Sequence, residues 1–181
     1  MKTNPLETKL VTDCINGDRD AQYRLYCRYD KAMYNICLRM MKKREDAEDT
    51  LQDAFMDVFR KLGTFRFEST LGAWIKRIVV NNCLNQLKKR KDFIIQLENT
   101  PELSTEDNNT RDFEEQHYQV NLIKNAMQSL PHGYRVICSL YLFEGFDHQE
   151  IADLLEISVS TSKSQLHRAK IKLRKNLASH G

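Results

Sequence analysis

Three stretches of this chain place polar or charged side chains at helical spacing, and the chemistry each suits is recognition. In residues 158–175, SVSTSKSQLHRAKIKLRK, no acid interrupts the row Ser160, Thr161, Ser162, Lys163, Ser164, Gln165, His167, Arg168 and Lys170. Polar donors early and cations later suit a helix that enters the DNA major groove by its N-terminal end. The plainer alternative is a solvated basic face, and His167 either contacts DNA or is a surface residue. In residues 74–91, WIKRIVVNNCLNQLKKRK, Asn81 and Asn85 are four apart and share a face, beside cations that include Arg77 and Lys88. Amides offer donors and acceptors to base edges, and cations attract phosphate. The loop before that helix, GTFRFES, carries Phe65 and Phe67 on either side of Arg66. Exposed, those rings form a stacking surface for unpaired bases, worth about 1–3 kcal/mol per base. Turned inward, they staple the loop to the core. The third stretch, DAEDTLQDAFMDVFRKL, buries one helix face and presents Glu48, Asp49, Gln52, Asp53 and Asp57 on the other. An acidic face does not favour DNA. It suits a protein partner bearing Arg or Lys, or else it is a solvated surface with acids near the helix N-terminal dipole.

The elements that carry these residues read as helices throughout. Pro5 suits the first turn of a helix carrying Leu6, Leu10 and Cys14, with Gly17 as its stop. Asp18 or Asp20 caps a second, whose apolar positions are Ala21, Leu25, Tyr29, Ala32, Met33, Ile36 and Met40. A third begins near Asp46, buries Leu51, Ala54, Phe55, Val58 and Leu62, and ends at Gly63. A fourth spans about Thr70 to Lys89 with Leu71, Trp74, Ile75 and Ile78 on one stripe, which makes Trp74 a core residue. Helical pattern resumes near Phe113 through Val120, Ile123 and Met127, and Pro131 opens a helix holding Val136, Ile137, Leu140 and Tyr141. Ile151, Leu154 and Leu155 then mark the first helix of a helix-turn-helix, Ile157 packs the turn, and Ser158 or Ser160 caps the second. No period-two run is long enough to argue for a sheet, so the fold class is all-α.

Between these halves, residues 96–112, QLENTPELSTEDNNTRD, are polar and acidic without apolar periodicity, which predicts a flexible linker. The domains are therefore residues 1–95 and 113–181. With 41% hydrophobic residues, 181 residues suffice for two small cores. Net charge is only +3 but segregated, with six Lys/Arg and no acid in residues 69–91 and seven acids against one Arg in residues 98–115. Local anionic partners follow from that, not general membrane affinity. No apolar run approaches the roughly 18–20 residues that span a bilayer, and MKTNPLETKL lacks a signal-peptide core, so no membrane insertion and a cytoplasmic location are expected. The five cysteines lack metal or disulfide spacing and read as buried thiols of a reducing compartment. His117, His132, His148, His167 and His180 form no metal-spaced cluster, and phosphate-loop, zincin and nucleophile-elbow motifs are missing. Neither enzyme, metal nor cofactor is expected.

In this order, DAEDTLQDAF, then FRFESTLGAWIKRIVVNNCLNQLKKRK, an acidic linker and a C-terminal helix-turn-helix, the chain resembles the extracytoplasmic-function (ECF) sigma factors of bacterial RNA polymerase. The resemblance covers nearly the whole chain. It implies binding to core polymerase, recognition of −10 and −35 promoter elements and help in melting the promoter. Asp49, Gln52 and Asp53, with Glu48 beside them, match positions that grip the clamp helices of the beta-prime subunit. Phe65 to Ser69 correspond to the loop lining the pocket for a flipped −10 base, Asn81 to a polar position of that pocket, and residues 160–168 to the helix that reads −35. An anti-sigma regulator is a further implied partner. The loop lacks a distinctive match at every pocket position, so base identity at −10 stays open. The competing reading is a helix-turn-helix regulator independent of polymerase. It accounts for the C-terminus but not for a second basic, Asn-bearing helix behind an aromatic loop.

Overall fold

The computed structural model describes residues 5–89 and 116–178, with side chains from 122 onward in the second segment, and these form two compact units divided at Lys89/Arg90. Every regular element among the described residues is helical.

The first unit contains α1 (Pro5–Ile15), α2 (Arg19–Met41), α3 (Arg44–Lys61) and α4 (Leu71–Lys88). Helices α2, α3 and α4 pack on one another, and α1 lies against α2. The starts of α2 and α4 are set by side-chain oxygens. Asp18 accepts from the amides of Asp20 (2.9 Å) and Ala21 (3.2 Å), and Thr70 from that of Ala73 (3.2 Å), each satisfying donors that a helix start leaves open. The core joins Leu25, Met33, Ile36 and Met40 of α2 to Leu51, Phe55 and Val58 of α3 and Leu71, Ile75, Val79 and Leu87 of α4. Each such side chain contributes about 1.5–3 kcal/mol by leaving water. At the start of α4 a Cβ on Gly72 would come within 3.1 Å of the Tyr29 ring, so glycine allows this close approach to α2. Several details depart from the sequence reading. Ala32 and Cys27 of α2, read as an apolar-stripe position and a buried thiol, are exposed, and Trp74, read as core, is half-buried. Leu6 is 78% exposed, since the first turn of α1 overhangs the core that Val11 and Cys14 reach. Helix α3 starts two residues early, at Arg44, where Arg44 Nε meets Glu48 Oε1 at 2.7 Å.

The second unit contains α5 (Gln116–Gln128), α6 (His132–Cys138) with a wider π-type turn at Ser139–Phe143, α7 (His148–Leu155) and α8 (Val159–Ala178). Helices α5, α6 and α7 all pack on α8. Arg135, fully buried, donates from Nη1 to the Leu130 carbonyl (2.9 Å) and, at 3.4 Å, to that of Gln128, closing the end of α5. Burial lowers its pKa to about 10, leaving it a cation at neutral pH. Asp147 and Glu150 make a reciprocal capping box on α7, Glu156 ends that helix in the left-handed region (φ 58°), and Ser158 Oγ accepts from the Thr161 amide at 3.0 Å to start α8. The predicted helix-turn-helix is therefore α7 and α8. The onset near Phe113 and the linker 96–112 lie outside the described residues.

Candidate nucleic-acid interface

Helix α8 sorts its polar residues by face. Ser160, Lys163, Ser164 and His167 are exposed, and Thr161, Arg168 and Lys170 are half-buried. Ser162 and Gln165 are corrections to the sequence reading: they are 0% and 2% exposed, on the same side as Leu166 and Ala169, and cannot reach a base edge. Thr161 Oγ1 lies 2.8 Å from Ser158 Oγ, so its hydroxyl belongs first to the cap. Lys170 leans back, with Nζ 5.5 Å from the centre of the Tyr141 ring.

On α4 the exposed residues Arg77, Asn81 and Asn85 and the half-buried Lys88 run along one face that begins at half-buried Trp74. Asn82 turns away, donating to Asp57 Oδ2 (3.2 Å) and to the Ile78 carbonyl (3.1 Å). The loop before α4 divides its aromatics. Phe65 is 7% exposed and packs on Trp74 (5.4 Å between ring centres) and Phe67 (4.6 Å), so its place in an exposed stacking surface is corrected to that of a staple. Phe67 is half-buried, its ring lying over Phe65, and its backbone is left-handed at φ 57°. That conformation costs a residue with a Cβ about 1–2 kcal/mol, so the surroundings hold the ring in place against local preference. Arg66 between them is exposed.

Helix α3 exposes Asp49, Gln52 and Asp53, with Glu48 half-buried against Arg44. Asp57, read from the sequence as exposed, is half-buried and tied to Arg60 (3.2 Å) and Lys61 (3.7 Å). Sequence reasoning missed Met56, 62% exposed on the same face. The spacing from Asp49 through Asp53 and Met56 to Arg60, i, i+4, i+7 and i+11, was the available signal. A cleft of about 610 Å³ runs between this face and α4, where Gln86 Nε2 donates to Asp53 Oδ2 at 3.3 Å. An acidic face and an amide-and-cation face thus lie side by side on adjoining helices of one unit. Among the described residues no His, Cys, Asp and Glu group could hold a metal ion, and no helix is long and apolar enough to cross a membrane.

Both units match known families. Residues 25–93 match Sigma-70 region 2 and residues 121–173 match Sigma-70 region 4. The acid-faced bundle with its amide-bearing helix and the helix-turn-helix unit thus correspond to two regions of one family, and this chain is a sigma-70-type factor of RNA polymerase. The chain is 28% identical to ECF RNA polymerase sigma factor SigM of Mycobacterium tuberculosis, over 92% of this chain and 82% of that one. It is also 28% identical to ECF RNA polymerase sigma factor SigW of Bacillus subtilis (93% and 95% covered) and 27% identical to RNA polymerase sigma-H factor of Pseudomonas aeruginosa (94% and 93%). Two solved structures share the fold. One is the sigma factor RpoE of Bartonella quintana in complex with the anti-sigma factor NepR (TM-score 0.57, 22% identity, 86% of this chain and 96% of that one). The other is CnrH in complex with the cytosolic domain of CnrY (TM-score 0.55, 20% identity, 95% and 97%). The chain belongs to the ECF sigma factors.

Proposed function

We propose that the two units divide promoter recognition. Residues 1–95 bind core polymerase and the melted −10 element, residues 113–181 bind the duplex −35 element, and 96–112 link them. Asp49, Gln52 and Asp53, with Glu48, meet basic side chains on the clamp helices of the beta-prime subunit. Phe67, Arg66, Arg77, Asn81, Asn85 and Lys88 take the unpaired −10 strand, while Phe65 supports the loop from below. Ser160, Lys163, Ser164, His167 and Arg168 face the −35 major groove, with Thr161 and Lys170 at its margin. The observation that carries this reading is that the packed helices α3 and α4 carry an exposed acidic face, Asp49 and Asp53, and an exposed face of Arg77, Asn81 and Asn85, with Asp53 and Asn85 lining one cleft. A regulator that bound only duplex DNA would have no use for either face. An anti-sigma protein restrains the factor, and the chain acts in the cytoplasm, directing chemistry that polymerase performs.

The test is to add the full chain to core RNA polymerase and run transcription on a library of genomic fragments. Transcripts that start at a shared bipartite motif and require the chain support the reading. Duplex binding with no chain-dependent transcript would replace it with the polymerase-independent regulator.

A further inference from the structure

The buried side of α8 carries two unlike kinds of contact. Leu166 and Ala169 are apolar, and apolar contacts have no direction, so they hold a helix against its neighbours without fixing its rotation. Ser162 is different. Its fully buried hydroxyl lies 2.9 Å from Nδ1 of His148, the first residue of α7, and either partner can donate according to the imidazole tautomer. A hydrogen bond weakens steeply when bent below about 120°, so this contact does resist rotation.

His148 is itself held from two sides. The Asp147–Glu150 capping box fixes its backbone, and the Tyr141 ring lies against its imidazole, 4.7 Å between centres and tilted 30°. Tyr141 in turn receives Nζ of Lys170 at 5.5 Å. The contacts Ser162–His148–Tyr141–Lys170 leave α8, pass through α7 and the π-type turn, and return to α8 eight residues further on. A helix gripped at these points about 12 Å apart, and again near its C-terminus where Asn176 Nδ2 donates to Ser129 Oγ at 2.7 Å, can neither roll nor tilt freely, and the Ser162 contact is the directional one within the exposed row's own turns.

We infer that His148 and Ser162 are positioning residues for promoter reading: their hydrogen bond sets the rotation at which α8 presents Ser160, Lys163, Ser164 and His167. The inference rests on the reading of α8 as the −35 helix. Ser162 has no surface with which to touch DNA, and it lies across the helix from the exposed row. A roll of about 20° moves a side-chain tip at the helix periphery by about 2 Å. That takes a donor out of the roughly 2.7–3.2 Å range in which it can read a base edge, yet phosphate attraction through longer cationic side chains survives. The brace therefore governs selectivity more than bulk affinity.

The experiment presents a pool of duplexes, randomised over a central stretch, to full-length chain assembled with core polymerase, and sequences what is retained. Wild type is compared with Ser162→Ala, with His148→Phe, which keeps a ring against Tyr141 but loses Nδ1, and with the double variant. Each single variant should broaden the selected −35 sequence and bind the wild-type-selected duplex about tenfold more weakly, while binding to the unselected pool falls less than about twofold. The double variant should bind no more weakly than the weaker single, because one hydrogen bond is lost only once. Single variants that select the wild-type sequence, losses that multiply in the double variant, or equal losses on selected and unselected duplexes accompanied by a lowered thermal midpoint would each overturn the brace. A wild-type chain that selects no sequence would overturn the −35 reading and the brace with it.

Discussion

Replacing Lys163 and Lys170 one at a time by alanine separates a cation offered to phosphate from one occupied within its own unit. Both lie on α8 in the basic row, and the sequence treats them alike. In the structure Lys163 is exposed, whereas Lys170 points back over the Tyr141 ring and lies close enough to Cys138 to oppose the rise that burial imposes on that thiol's pKa. A phosphate contact on duplex DNA releases counterions and contributes about −0.9 to the slope of log affinity against log salt. Raising salt fourfold, from about 50 to about 200 mM, therefore weakens binding by about 3.5-fold per contact. The affinity gap between wild type and Lys163→Ala should narrow by that factor over the range. For Lys170→Ala any gap should stay constant with salt, and the loss should appear instead in thermal unfolding, as about 0.5–1 kcal/mol from the missing cation–π contact. Fluorescence anisotropy of a labelled −35 duplex, titrated with the full chain at graded salt, reads the slopes directly. A Lys170→Ala slope as flattened as that of Lys163→Ala, or a Lys163→Ala slope equal to wild type, would refute the division of α8 into outward and inward cations.

Charge reversal at Asp49 and Asp53 should weaken core-polymerase binding about tenfold or more and shift stability by less than about 1 kcal/mol, because both are exposed; unchanged binding in a pull-down would remove the clamp assignment. Phe65→Ala should destabilise the first unit by about 3–5 kcal/mol in denaturant unfolding, as for a buried aromatic, whereas Phe67→Ala should leave stability nearly intact and impair open-complex formation measured by permanganate footprinting. Burial raises the Cys138 thiol from 9.0 to about 11, so its contribution is fully present below pH 9 and is lost as the pH climbs through the folded value, by roughly 3 kcal/mol in all. Cys138→Ala should flatten that alkaline decline relative to wild type, and with an Ellman-type reagent exposed Cys27 should react well before Cys138. Limited proteolysis should cut first within residues 98–112 and leave two resistant fragments; a first cut inside 46–90 would contradict the proposed domains.

Much of the fold was legible because helix ends are written in single residues. Asp18, Thr70, Asp147 and Ser158 each place an oxygen where open amides need one, and the apolar stripes between them have a clear period. The candidate site was legible only as far as its helices. From Ser160 to Gln165 every α8 residue is polar, so no change in hydrophobicity marks which ones turn inward. Counting back from Ala169 by four and seven would have found Gln165 and Ser162, since those positions share its face. Phe65 and Phe67 are the same residue type two apart in a loop, where no period applies. Only packing against Trp74 decides that one is buried and the other half-exposed. The His148–Ser162 contact links residues whose pairing depends on how α7 and α8 cross, which local pattern does not encode.

If Phe67 takes an unpaired base as proposed, its left-handed backbone puts folding and use in opposition at one position. Glycine adopts such a φ freely, and asparagine nearly so, whereas phenylalanine does not. A library of variants at 67 sorted only for thermal persistence should drift toward those small residues, gaining firmness as it sheds the ring. The same library sorted for transcription should keep an aromatic there and accept a softer loop. On the proposed role, position 67 is one where a stabilised version of this protein would lose its purpose, and a consensus or thermostability redesign should leave it untouched.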